Sequence, residues 1–332
     1  MSMTENLVTA GMPISDTESP RPSSLTFTLT ILGAGSATPT LGRHPTAHLL
    51  THNTEYYLID CGEGTQYRLL EQKIRPGRLH HIFISHLHGD HYFGLAPLLS
   101  SLNLAGRTED LHLYGPNGLD EILTTIFRYS DTRLGYPLHF HPVDPVTPTV
   151  LADLPELTIS SVPLEHRIAC SGYLFREKAR KPKLLRDKLP ADVPVEYLKQ
   201  LKEGHDIIDG QGQVIYAVED YTTPGPPPRS YAFCSDTRYS ERLIEQVRQV
   251  DLLYHEATFL EDNAQRAYEV FHSTARQAAT IALKAEAGNL IIGHFSSRYK
   301  QFQPFLNEAR QIFPHTSLAT EGLHVEIKDW QY

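Results

Sequence analysis

Residues 85–94 read SHLHGDHYFG and place three histidines and an aspartate within six positions, directly after the apolar run HIFI. Imidazole and carboxylate donors with no thiolate among them suit Zn²⁺, with Mn²⁺ or Fe²⁺ as poorer matches. More such donors stand near the ends of other strand-like stretches, in EHRI (165–168), CSDT (234–237) and IIGHFSSRY (291–299). The candidate ligands are His86, His88, Asp90, His91, His166, Asp236 and His294. Seven donors exceed what one tetrahedral ion uses, whereas two ions sharing a carboxylate would use them all. In an extended loop His86 and His88 project to one side, and Gly89 permits a sharp turn that lets Asp90 and His91 face the neighbouring ion. Singly, His166 or His294 reads as an ordinary polar residue and Asp236 as a helix cap; the set is what is specific. HEATF (255–259) and FHSTA (271–275) add Glu256 and His272, either of which alone could just end a strand or precede a helix cap.

Loops at one rim of a sandwich can gather residues this far apart, and the patterning supplies the strands. LTFTLTILG (25–33) alternates as a half-buried strand does. AHLLTH and EYYLID follow, then a helix over TQYRLLEQK and the short apolar strand HHIFIS. Residues 86–91 therefore lie in a loop at a strand's C-terminal end, before a helix over YFGLAPLLSSLNLA. The strands LHLYG and LHFHPV flank a helix, LDEILTTIFRY. In the second half a strand within LTISSVPLEH ends in His166, and QVIYAV, SYAFCSD and LLYHEA are strands, with a helix over ERLIEQVRQV. STARQAATIALKAEA (273–287) is the longest expected helix, with Ser273 or Thr274 near its cap. NLIIGHF, a helix near FLNEARQIF and a last strand LHVEIK complete the chain. Strands in runs, with helices between the runs, favour two sheets packed face to face over a doubly wound parallel sheet.

The 332 residues are 40% hydrophobic with a mean hydropathy of -0.32, as in a soluble globular protein. No apolar run approaches the roughly 18 residues a membrane span needs. Residues 1–24 lack a basic start and a continuous apolar stretch, so they read as a disordered lead-in and not a secretory signal. Cys61, Cys170 and Cys234 are odd in number and dispersed, which gives no disulfide framework and suggests a reducing cytoplasm. A net charge of -9 argues against a general polyanion binder. Residues 176–202 nevertheless hold nine Lys or Arg against four Asp or Glu, which on charge alone describes a solvated loop.

HLHGDH with the downstream His, Asp and His resembles the metallo-β-lactamase superfamily, which implies an α/β fold, a four-layer αββα sandwich with a dinuclear metal site. ILGAGSATPT, DCGEGTQYRLL, SHLHGDHYFGL, YHEATF, HSTARQAA and IIGHFSSRY together look like the short form of the ribonuclease Z family, over residues 27–328. Those enzymes are endonucleases that remove 3′ trailers from precursor tRNA. The resemblance implies two Zn²⁺ per chain, one held by His86, His88 and His166, the other by Asp90, His91 and His294, with Asp236 bridging. It makes Asp90 the proton acceptor and Glu256 with His272 a catalytic pair. It implies one nuclease domain over 25–332, with 176–204 as an inserted flexible basic arm that protrudes and clamps tRNA. Lys181, Lys183, Arg186, Lys188 and Arg298 are then the expected RNA contacts, and the protein a cytoplasmic homodimer with no membrane partner. Two departures stand out: PADVPVEYLKQLKEG lacks the Gly-Pro of many arm tips, and GRHPTA (42–47) has His44 where many relatives have Asn.

Phosphodiester hydrolysis is slow without a catalyst, and a positioned acid–base pair contributes about 10²–10⁴-fold. Glu256 and His272 therefore need the metals, which acidify water and neutralise phosphoryl oxygens when about 3.5–4 Å apart. The expected course is in-line attack by activated water oriented by Asp90. His272, held by Glu256, protonates the departing ribose 3′-oxygen, leaving a 3′-OH on the tRNA and a 5′-phosphate on the trailer. A hydrolase of small thioesters, lactones or cyclic phosphodiesters would need the metal site but not the arm, HEAT or HST stretches. A zinc-stabilised RNA-binding protein without catalysis would not need Asp90 or His272.

Overall fold

The alternation at the start of the chain becomes the strand Phe27–Gly33, whose seven residues are all buried and not half-exposed. Phe27, Leu29 and Ile31 face a second sheet, Leu32 lies under helices, and Thr30 Oγ1 bonds His324 Nδ1 on the neighbouring strand. These are features of a computed structural model that describes residues 26–38 and 40–328; the expected lead-in 1–24 lies outside them.

The first sheet runs His324–Glu326, Phe27–Gly33, Ala47–His52, Glu55–Ile59, Leu79–Phe83, Leu111–Gly115, Leu138–Pro142. Its first three pairings are antiparallel and its last three parallel. The second runs Thr316–Leu318, Asn289–Gly293, Leu252–Glu256, Ser230–Cys234, Ser171–Glu177, Leu157–Pro163, Val150–Asp153, with the first three pairings parallel and the rest antiparallel. Between the sheets lies a core that includes Phe27, Tyr57, Phe83, Tyr173, Phe175, Tyr231, Phe233 and Tyr254. Separate apolar layers join each sheet's outer face to helices: Leu95, Leu98, Leu99 and Leu102 of Leu95–Leu104 on the first, Ala275–Lys284 on the second. The order is helix, sheet, sheet, helix, the expected sandwich.

The helix Ala275–Lys284 begins with a capping box in which Thr274 and Gln277 bond each other's backbone. Its buried face is mostly alanine (Ala275, Ala278, Ala279, Ala282), small enough for close approach to the strands below. Among the described residues the longest helix is Leu119–Tyr129, with eleven residues against ten. Among the described residues no helix is long and apolar enough to cross a membrane.

The segment expected as an arm, 176–204, divides differently. Arg176 and Glu177 belong to the second sheet, and the excursion continues to Thr222–Thr223, which pairs with Lys183–Leu184. It contains the helix Val195–Lys202 and a small core of Leu184, Leu198, Leu201 and Ile207. Residues 178–223 carry eight Lys or Arg and eight Asp or Glu. The local excess is thus a property of the first half, and the second half brings the balancing acid, with Lys181 paired to Glu203; Lys188 Nζ donates to the Asp220 main-chain carbonyl. Glu177, buried, closes the lobe's root by accepting from Arg180 at its entrance, from Arg229 at its exit, and from His52 of the first sheet.

Candidate metal centre and active site

Strand ends of both sheets meet at one rim. Residues 86–91 follow Leu79–Phe83 in the first sheet. His166, Asp236, Glu256 and His294 sit at or just beyond the ends of Leu157–Pro163, Ser230–Cys234, Leu252–Glu256 and Asn289–Gly293 in the second. His166 thus lies in the loop three residues past its strand, and does not end it.

The seven expected ligands come together in two groups. In one, His86 Nε2 lies 2.9 Å from His88 Nδ1 and 3.5 Å from Asp236 Oδ2, and His166 Nε2 lies 3.3 Å from His88 Nδ1. In the other, Asp90 Oδ2 lies 3.3 Å from His91 Nε2 and 3.4 Å from His294 Nε2. Asp236 serves both, its Oδ1 standing 3.2 Å from His294 Nε2 and 3.6 Å from His91 Nε2. Donors about 2.0–2.1 Å from a tetrahedral zinc lie roughly 3.3 Å from each other, so these separations suit an ion at each group's centre. The fit has an independent sign: His91 Nε2 and Asp236 Oδ1 are buried with no hydrogen-bond partner, which is costly unless something else satisfies them.

The outer hydrogen bonds fix the rings. Asp60 accepts from His91 Nδ1 at 2.6 Å. Ser85 Oγ donates to Asp60 Oδ2, and so accepts from His86 Nδ1 at 3.0 Å. His166 Nδ1 donates to the Phe271 carbonyl. Thr258 Oγ1 donates to Glu256 Oε2 and so accepts from His294 Nδ1. With Nδ1 protonated in all four, each Nε2 lone pair points inwards, the orientation metal binding needs. Asp60, Phe271 and His294 hold positive φ of 56°, 61° and 60°, a region uncommon for non-glycine residues, which Asn53, Lys73, Asp131, Gln249 and Glu286 also occupy away from the site. Burial would raise the pKa of Asp90, but His91 and His294 hold its carboxyl well below the usual range. Burial equally opposes charge on His91, and Asp236, Asp90 and Asp60 reverse that and push it above the ordinary value.

Glu256 and His272 form the expected pair. His272 Nδ1 donates to Glu256 Oε1 at 2.7 Å, and Nε2 reaches towards Asp236 Oδ2 at 4.0 Å. Burial disfavours both charges, yet each stabilises the other: the carboxyl sits below its ordinary range and the imidazole above. Thr237 N and Thr258 N also donate to Glu256.

A cleft of about 670 Å³ opens over both groups and over His272. Arg298 lines it, with its guanidinium 4.9 Å from the Phe259 ring centre. Lys181, Lys183, Arg186 and Lys188 do not line it; they lie on the separate lobe. Sequence reasoning missed Arg167 and Arg266, which also line the cleft, and the supports Asp60, Ser85 and Thr258. Thr258 lies inside HEATF and Asp60 inside DCGEG, so the motifs held the signal. Gly89 also differs from expectation. It starts the short helix Gly89–Tyr92 without a positive φ, and a Cβ there would meet the Phe93 ring at 2.2 Å.

Comparison with known proteins places these features among relatives. The chain is 48% identical to a ribonuclease Z of Cytophaga hutchinsonii over 303 residues, covering 91% of this chain and 97% of that one. The crystal structure of human tRNase Z, short form, superposes with a TM-score of 0.66 at 25% identity, covering 91% and 99% of the two chains. The metallo-beta-lactamase fold protein YhfI from Bacillus subtilis superposes with a TM-score of 0.64 at 18% identity over 91% and 99% of the chains, a likeness of fold. A family model described as Anti-Pycsar protein Apyc1 matches residues 27–136, a stretch that contains 86–91 but not His166, Asp236 or His294.

Proposed function

This chain belongs to the ribonuclease Z family and is a tRNA 3′ endonuclease, and from that premise we propose how its residues divide the work. His86, His88 and His166 would hold one zinc ion and Asp90, His91 and His294 a second, with Asp236 as a donor to both. The observation that carries this reading is Asp236 itself, which offers Oδ2 to one histidine group and Oδ1 to the other. When bound, the two ions supply positive charge that acidifies water and neutralises phosphoryl oxygens.

The chain's own groups supply the rest. Asp90 accepts the proton of the attacking water and orients it. Glu256 holds His272 with Nδ1 protonated, so Nε2 is the atom that delivers a proton to the departing ribose 3′-oxygen. The products are a tRNA with a free 3′-OH and a trailer with a 5′-phosphate. Arg298, braced on Phe259, contacts the substrate's phosphates at the cleft. The lobe acts at a distance through Lys181, Lys183, Arg186 and Lys188 as the tRNA-binding arm, by phosphate contact and the shape of folded RNA.

The same reading makes the protein a cytoplasmic homodimer. The buried, unpaired Cys61, Cys170 and Cys234 suit a reducing compartment. Exposed Leu41, Tyr67 and Leu70 are the kind of apolar surface a subunit contact covers. Incubation with a precursor tRNA bearing a short trailer tests the whole: one cut after the last tRNA nucleotide, with a 3′-OH and a 5′-phosphate, is the expected result. Cleavage of small phosphodiesters without any precursor cleavage would overturn it.

A further inference from the structure

Phe93 lines the same cleft as Asp90 and His272, and it is 61% exposed although His91, two residues before it, is fully buried. Its position is not loose. A Cβ built on Gly89 would lie 2.2 Å from Phe93 Cε2 and 2.6 Å from both Cδ2 and Cζ. Because the distances to the two neighbours of Cε2 are equal and so little longer than that to Cε2 itself, the point lies above the ring plane at its Cε2 edge and not beyond the rim. The Gly89 backbone therefore backs one face of the ring, and the absence of a side chain at 89 is what lets the ring lie flat against the loop. An exposure of 61% is then that of a ring with its other face open to the cleft. Tyr92 packs against Phe93 in an edge arrangement, with ring centres 5.0 Å apart at 66°.

We propose that Phe93 is a stacking platform for the nucleobase next to the scissile phosphate, a substrate contact that rests on the endonuclease reading above. A flat ring fixed at the lip of a phosphodiesterase site offers what any base can use, its π-face, without reading sequence. That suits an enzyme whose substrates share a fold but differ in their terminal nucleotides. Arg298 lines the same cleft and takes phosphate charge, so backbone and base have separate partners. The platform raises affinity for the strand about to be cut and fixes the orientation of its sugar without entering the chemistry.

The test is a cycle of enzyme and substrate changes on the metal-loaded full chain. Wild type, Phe93→Ala and Phe93→Trp are each assayed on three precursor tRNAs: intact, abasic at the last tRNA nucleotide, and abasic at the first trailer nucleotide. With intact precursor, Phe93→Ala is expected to raise KM by roughly tenfold while kcat changes little, and Phe93→Trp to restore it. On one abasic substrate wild type and Phe93→Ala should become equal, which identifies the base. An equal penalty on all three substrates, or no penalty on the intact one, overturns the proposal. So does a loss of mass from the Phe93→Ala protein in solution, which would assign the open face to a subunit contact. Failure of wild type to cut any precursor would instead fell the endonuclease reading, so the two failures are distinguishable.

Discussion

Asp236 Oδ1 faces His91 Nε2 at 3.6 Å, and both atoms are buried without a hydrogen-bond partner. A carboxylate oxygen facing an imidazole nitrogen in a dry site is unfavourable unless a proton or a metal cation lies between. Asp236→Ala should therefore bring elemental analysis from close to two transition-metal ions per chain down to one or fewer, with turnover lowered by at least about 10²-fold. Stripping the wild type with a chelator should lower its melting temperature, and zinc should restore it. A reproducible single ion in fully active wild-type protein would sink the two-ion reading.

The proton-transfer roles separate in the same assay. His272→Ala should lose at least about 10²-fold in turnover while keeping both ions, because its ring is tied to Glu256 and is not needed as a ligand. Asp90→Ala should lose at least as much, and its metal content must be read beside its rate because Asp90 lies in the second donor group. Wild-type turnover in metal-replete His272→Ala would remove that residue from the mechanism.

Glu177 gives a pH prediction away from the metals. Burial would raise its pKa, but Arg229, His52 and Arg180 hold the carboxyl well below the usual range. A carboxylate depressed on folding stabilises the fold above its unfolded value of about 4.3, and that contribution is lost as pH falls from there towards the folded value. Glu177→Gln should be less stable than wild type at pH 7 by about 3 kcal/mol, since it takes a buried counter-ion from Arg229. Thermal melts should show the gap narrowing at pH 3. A gap of constant size would mean that Glu177 acts through packing and not charge.

The lobe can be removed cleanly because its ends are neighbours: Glu177 N donates to the Arg229 carbonyl at 2.8 Å. Replacing 178–228 with a short Gly-Ser link should keep both ions and the cleavage of a small chromogenic phosphodiester. Precursor cleavage should fall through weaker binding, and the salt dependence of that binding should flatten. Changing Lys181, Lys183, Arg186 and Lys188 to Ala should give a milder version. Unchanged affinity and salt slope in the deletion would make the lobe irrelevant to RNA.

The sequence made the metal centre legible because a strand end concentrates ligands in a contiguous run, as in HLHGDH, and because strand ends of two sheets share a rim. Thr258 and Ser85 were not legible as supports, since a single hydroxyl has no pattern; only the fold shows that each relays a hydrogen bond from an imidazole to a carboxylate. The lobe misled because a window of 27 residues sees charge along the chain, whereas pairing of Lys183–Leu184 with Thr222–Thr223 returns acid to base across some forty positions. The strand Ser171–Glu177 was hidden for a related reason: its last two residues, Arg176 and Glu177, read as part of the basic run. Gly89 was read for its freedom, when its small size is what the structure uses.

The division of donors between the two sheets has a consequence for the order in which a ribosome delivers this chain. Four of the seven donors have been synthesised by residue 91, but the first group cannot close until His166 and Asp236 exist, and the second waits for His294. His294 follows the strand Asn289–Gly293, which pairs in parallel with Leu252–Glu256, so its place at the rim depends on that strand joining the second sheet. A growing or truncated chain therefore offers imidazoles without a complete cage for either ion. Both donor groups are therefore complete only in a chain made at least as far as His294, and a product cut short before that residue is left without a closed second group.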